Sequence, residues 1–224
     1  MEKAFQNKIF WEVRDDIGYV EFIDPPQNAM NTMFFNDLQL LVAKVIPNSN
    51  VRAIIIRGKG RHFSSGADLD ELVKSIREEK KTDHAMTLHS NSLSFHFFSE
   101  LNIPVIAAIT GVCIGSALEL ALHCHFRLCS TDAIFGLPES TFGLMPGIGG
   151  IPKMMELAGK AKTIELVLNG NTFSTKEALN RNIVDAVYPK KILMEKASDL
   201  AGKTMKNYRK YNKVDYIKQL NTLD

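Results

Sequence analysis

The chain is short of cysteine and tryptophan and carries almost no net charge. Its 224 residues include three cysteines, one tryptophan and a formal balance of +2. Cys113, Cys124 and Cys129 are odd in number, and residues 1–16 combine acidic side chains with no long apolar stretch. That pattern is neither a disulfide framework nor a secretory or transit leader, and it predicts a reducing, cytoplasmic setting. No apolar run approaches the ~18 residues of a membrane span, so none is expected. The near-neutral charge creates no demand for nucleic acid or a membrane as partner. One local excess, Lys203, Lys206, Arg209, Lys210 and Lys213, reads as the solvated face of a helix. Internal repeats and low-complexity linkers are also missing.

What is present is an apolar share of 45%, enough for a packed core in one domain or one domain with an appendage. Residues 9–13 and 17–23 read as strands joined by a turn at 14–16. A helix follows through Leu38, Leu41, Val42 and Val45, with Asn31 or Thr32 as its cap. Residues 53–56 and 104–109 are all-apolar and β-branched, as strands buried on both faces would be. Helices are expected through Leu69 to Ile76, over about 83–100, over 116–124, and again beyond Gly150. Short strands are expected at 133–135 and 183–187. Ser174-Thr175-Lys176-Glu177 fits a capping box. Strands alternating with helices predict an α/β fold with mainly parallel sheet, whose ligands gather where strands end and helices begin.

Three motif-like runs fail on inspection. Gly147-Ile148-Gly149-Gly150 has Pro152 where a dinucleotide fingerprint needs its third glycine. Gly202-Lys203-Thr204 would need a glycine at Ala197 to make a phosphate loop. His123, Cys124, His125 and Cys129 diverge around a helix rather than converge, so no metal is expected there.

Glu119 follows Gly111-Val112-Cys113-Ile114-Gly115-Ser116-Ala117-Leu118 at the expected start of a helix, and Glu139 follows Phe135-Gly136-Leu137-Pro138. His62-Phe63-Ser64-Ser65-Gly66-Ala67-Asp68-Leu69 is another strand-to-helix turn. Amides that open a helix lack intrahelical acceptors and stabilise negative charge. Two such turns, at Ala67 and Ser116, could hold one oxyanion, with two carboxyls beside it to move protons. Two carboxyls sharing one apolar pocket do not both ionise cheaply, which yields an acid and a base. This equipment suits chemistry alpha to a thioester carbonyl. Taken singly, each feature also has a plain reading: Glu119 as a first-turn glutamate favoured by the dipole, Glu139 as a loop carboxylate, the glycines as turn formers.

The ordered set of segments resembles the enoyl-CoA hydratase/isomerase family, also called the crotonase superfamily. The matching stretches begin at Asn28-Ala29-Met30 and end near Pro189. They include 62–69, 104–111, 115–119, 135–139 and Gly143-Leu144-Met145-Pro146-Gly147-Ile148-Gly149-Gly150. The resemblance implies a crotonase-like spiral of ββα units over residues 1–190, followed by a short C-terminal helical segment, 191–224. It implies a coenzyme A or carrier-protein thioester as substrate, no separate cofactor or metal, and assembly as a homotrimer or hexamer. It assigns oxyanion donors to the Ala67 and Ser116 amides, catalysis to Glu119 and Glu139, and substrate contact to Ser65, Gly66, Ala67, Asp68, Leu69, Gly115 and Ser116. Hydratases of the family carry both glutamates, whereas many isomerases rely on the one at Glu139, so hydration of a 2-enoyl thioester is the expectation. A double-bond isomerase or decarboxylase, and a non-catalytic binding member, are the alternatives. The chain departs from the family in having Gly115-Ser116-Ala117 for the usual three glycines, and in its short C-terminal segment.

Overall fold

The computed structural model describes the backbone of residues 3–5, 7–78 and 81–207, and the side chains of residues 7–74 and 85–206. The chain begins with an antiparallel meander of β1 (Lys3–Phe5), β2 (Ile9–Arg14) and β3 (Ile17–Phe22). Helix α1 (Thr32–Leu40) follows, capped by the Asn31 side chain, which accepts from Phe34 N at 3.0 Å. The predicted helix continues to Val45 with a π-helical stretch, Leu41–Val45, and closes in a 3₁₀ turn containing Pro47. Next come β4 (Ala53–Gly58), α2 (Leu69–Glu78), α3 (Lys81–Glu100), β5 (Val105–Ile109), β6 (Val112–Ile114) and α4 (Ser116–His123). Then follow β7 (Phe126–Ser130), β8 (Ile134–Gly136), α5 (Gly150–Ala158), α6 (Lys160–Asn169), β9 (Thr172–Ser174), α7 (Thr175–Asn180), β10 (Ala186–Tyr188) and α8 (Lys190–Asn207).

The larger sheet runs β1-β2-β3-β4-β5-β7-β10 and is parallel from β3 onward. A second sheet, β6-β8-β9, lies beside it. Isolated parallel bridges between Ser64 and Cys113, and between Met30 and Ala67, extend this second layer. Each turn of the chain therefore lays a strand in the large sheet, a short extended segment in the small layer, and then a helix. Three such turns end at α1, α2 and α4, which is the expected spiral of ββα units. Residues 66–67 and 115–116 occupy equivalent corners of successive turns.

The all-apolar strands divide their side chains by strict alternation. Ile54 and Ile56 of β4, with Val105, Ala107 and Ile109 of β5, join the main core between the layers. Ala53 and Ile55, with Ile106 and Ala108, face the opposite side, where Leu193, Ala197, Leu200 and Ala201 of α8 cover them. Four strands, β1, β6, β7 and β9, escape the sequence expectations, and β10 is displaced from its expected place. β7 carries Arg127, fully buried against Asp185 at 3.1 Å, and a charged centre disguises a core strand. The strand expected at 183–187 forms at Ala186–Tyr188 instead, because Asp185 turns to accept the Arg127 amide at 2.7 Å. The basic residues Arg209, Lys210 and Lys213 of the tail lie outside the described residues.

Candidate active site

The first corner is built by Ser64, whose hydroxyl accepts the Gly66 amide at 3.0 Å, and by Gly66 itself at φ +83°. A Cβ on Gly66 would sit 2.5 Å from the Ile114 carbonyl oxygen and 3.3 Å from Ser116 N, so this corner presses against the start of α4. Met30 N donates to Gly66 O (2.8 Å) and Met30 O accepts from Asp68 N (3.3 Å). This bridge uses the groups on either side of Ala67 and turns the Ala67 N–H away from Met30. The Asp68 carboxylate accepts from the amides of Asp70 and Glu71 and so caps α2. Asn28 clamps the preceding loop from below: buried, it donates to the carbonyls of Lys59 (3.0 Å) and His62 (2.9 Å).

The second corner turns at Gly115, φ +57°, whose amide donates to Gly136 O at 2.9 Å. Ser116 then opens α4. Among the described residues neither the Ala67 nor the Ser116 amide meets an acceptor. Every residue of α4 is buried, Glu119 included. Glu119 Oε1 accepts two main-chain hydrogen bonds, from Ile148 N at 3.0 Å and Gly150 N at 2.9 Å. Gly150 is required here, since a Cβ would collide with Glu119 Cγ. Thus the glycine-rich run rejected as a nucleotide fingerprint is the cradle of Glu119. Glu139 lies in a 3₁₀ turn, Pro138–Phe142, with its carboxyl against the Gly115 corner: a Cβ there would stand 3.1 Å from Glu139 Oε1. Glu139 Oε2 is buried without a partner.

Burial raises the Glu119 pKa to about 7, with the Glu139 charge adding to it and the two amide bonds opposing it. Burial also raises that of Glu139. The pair therefore favours a shared state, one carboxyl protonated and one ionised, near neutral pH.

A cavity of about 190 Å³ unites these groups: Ser65, Ala67, Leu69, Gly115, Ser116, Glu119 and Glu139 all line it. Leu72, Leu88, Phe142, Leu144, Met145 and Ile148 complete its apolar wall. Gly66 stands behind it, and Asp68 lines an adjoining hollow of about 580 Å³ that shares Ala67, Leu72, Leu88 and Ile148. The sequence reading missed the amides of Ile148 and Gly150, the clamp at Asn28 and the α3 side of the wall. The glycine spacing was the one visible signal for the first.

His123, Cys124, His125 and Cys129 have separate structural surroundings. His125 accepts the Val105 amide at 3.0 Å, and Cys124 faces Leu120 O. His123 lies tilted at 57° to Phe95 with ring centroids 6.3 Å apart, meets Ser99 at 3.3 Å, and turns Nε2 toward Gly149. Among the described residues no three His, Cys, Asp or Glu side chains are grouped to hold a cation, and no helix is long and apolar enough to cross a membrane.

The family model for enoyl-CoA hydratase/isomerase matches residues 12–219. The fatty acid oxidation complex subunit alpha of Shewanella frigidimarina is 35% identical over 209 residues, covering 91% of this chain and 28% of that protein. The chain thus spans little more than a quarter of that relative. A protein named "Probable enoyl-CoA hydratase" in Bacillus subtilis is 33% identical, over 88% of this chain and 76% of its own. Among solved structures, an enoyl-CoA hydratase subunit from Geobacillus kaustophilus superposes with a TM-score of 0.80 at 30% identity, over 90% of this chain and 77% of that one. With the match running nearly end to end, and with the corners and cradle described above falling inside it, this chain belongs to the enoyl-CoA hydratase/isomerase family.

Proposed function

We propose that the chain is a hydratase that adds water across the double bond of a 2-enoyl thioester, carried by coenzyme A or an acyl carrier protein. One observation carries this reading: both carboxyls and both acceptor-free amides belong to residues lining the same cavity. The thioester carbonyl docks against the Ala67 and Ser116 amides. As negative charge develops on its oxygen, each donor lowers the barrier by about 3 kcal/mol. The ionised carboxyl of the Glu119–Glu139 pair takes a proton from water as the oxygen attacks the β-carbon. The protonated one gives its proton to the α-carbon. Atoms balance without any cofactor beyond the carrier. Ser65, Ala67, Leu69, Gly115 and Ser116 form the substrate-facing rim, while Asp68 faces the adjoining hollow and Gly66 shapes the corner without lining the cavity. Family membership supports working as a homotrimer or hexamer, a state that sedimentation measurements would check.

The test is consumption of crotonyl-CoA, followed by loss of its conjugated absorbance. Glu119→Gln and Glu139→Gln should each cost on the order of 10²–10⁴ in kcat. An isomerase would keep its activity in Glu119→Gln and lose it in Glu139→Gln. Full hydratase activity in both variants would remove the assigned roles.

A further inference from the structure

Two residues that line the cavity each carry a buried polar atom that no partner satisfies: Ser116 Oγ and Glu139 Oε2. They do not bond to each other. Glu139 Oε2 is accounted for by the proton transfers above, but nothing yet uses the serine hydroxyl. Ser116 is 4% exposed and opens an eight-residue helix, yet its side chain caps nothing. Burying an unpaired hydroxyl destabilises a protein, so its presence in the free cavity implies a partner in the loaded one.

We propose, resting on the thioester reading, that the Ser116 hydroxyl donates a hydrogen bond to the substrate's thioester carbonyl oxygen, as a third donor beside the two main-chain amides. The reason is local geometry. Oγ and N are joined through Cα and Cβ, three bonds apart, and a gauche side chain holds them about 3 Å from one another. An acceptor held about 2.9 Å from the Ser116 N–H is therefore within reach of its hydroxyl. The hydroxyl hydrogen rotates to suit the acceptor. Ser116 thus acts twice on one atom, through N–H and through O–H. A catalytic donor of this kind strengthens its bond as the oxygen gains charge, so it acts mainly on kcat.

The experiment uses butyryl-CoA labelled with ¹³C at the carbonyl, bound to the wild type, to Ser116→Ala and to Ser116→Gly. Infrared difference spectra read the carbonyl stretch. In the wild type the band should lie below that of free butyryl-CoA, and both variants should lose part of that shift. Crotonyl-CoA turnover should fall on the order of 10²-fold with KM little changed. Unliganded Ser116→Ala should melt about 2–4 °C higher, since an unpaired buried hydroxyl is gone. A merely structural serine predicts the reverse, a lower melting temperature with the carbonyl band unmoved. An unmoved band overturns the proposal even if turnover falls, because the hydroxyl would then be serving the water. Failure of the wild type to bind butyryl-CoA at all would instead overturn the thioester reading beneath it.

Discussion

Replacing Glu119 by Gln sets stability against catalysis, with a pH signature. The native pKa is raised from 4.5 to about 7, chiefly by burial. Between those values the folded protein binds a proton that the unfolded chain has released, so stability from this group falls as pH rises through the window. Above it the ionised, buried side chain costs about 3 kcal/mol. Gln removes that cost and keeps its Oε1 as acceptor for the Ile148 and Gly150 amides, so the cradle is preserved. Urea titrations of both proteins should show the variant more stable by under ~1 kcal/mol near pH 5 and by ~3 kcal/mol near pH 8. In thermal scans near pH 8 the gain amounts to about 6–12 °C. Hydration of crotonyl-CoA should nevertheless drop by at least ~10²-fold. A gain that does not change with pH, or a variant less stable than the wild type near pH 8, would refute the claim that a buried charge sets this pKa.

Other positions respond differently. Gly150→Ala drives a Cβ into the Glu119 stem and should lower kcat by about 10²-fold while circular dichroism stays native. Arg127→Met takes the guanidinium away from buried Asp185, leaving the main-chain amide of residue 127 as donor, and should cost about 3–5 kcal/mol in urea titration. Asn28→Ala releases four main-chain groups, Asp24 N and the carbonyls of Lys59, His62 and Phe63, and should cost about 2–3 kcal/mol while raising KM through the loosened Ala67 corner. Burial holds the His123 pKa at about 4, aided by Lys153 and His96. The unfolded chain therefore takes up a proton that the fold refuses as pH falls from 6.5 toward 4. This group withdraws about 3 kcal/mol across that interval, against the opposing gain from Glu119 protonation, so the stability difference between His123→Leu and the wild type should grow by about 3 kcal/mol from pH 6.5 to 4.

Local pattern alone determined a good deal. Residues 53–56 and 104–109 had to be central strands, because runs of β-branched residues suit strands buried on both faces of a parallel sheet. The Ser174 capping box formed as read, with both reciprocal hydrogen bonds present. The family resemblance and both glutamates were legible for the same reason: glycine corners, helix starts and the carboxyls beside them are short-range features. What short range does not encode is convergence. Nothing near Glu119 in the chain announces that Ile148 and Gly150, about thirty residues on, will donate to one of its oxygens. β7 was hidden because Arg127 looks like a surface residue until Asp185, 58 positions away, neutralises it. Only tertiary packing placed Ala67, Ser116, Glu119 and Glu139 around one cavity, because Ala67, the α4 residues Ser116 and Glu119, and Glu139 come from three different stretches of the spiral. Pocket chemistry depends on distances across those turns, and these are decided by how the sheets stack rather than by any stretch of sequence.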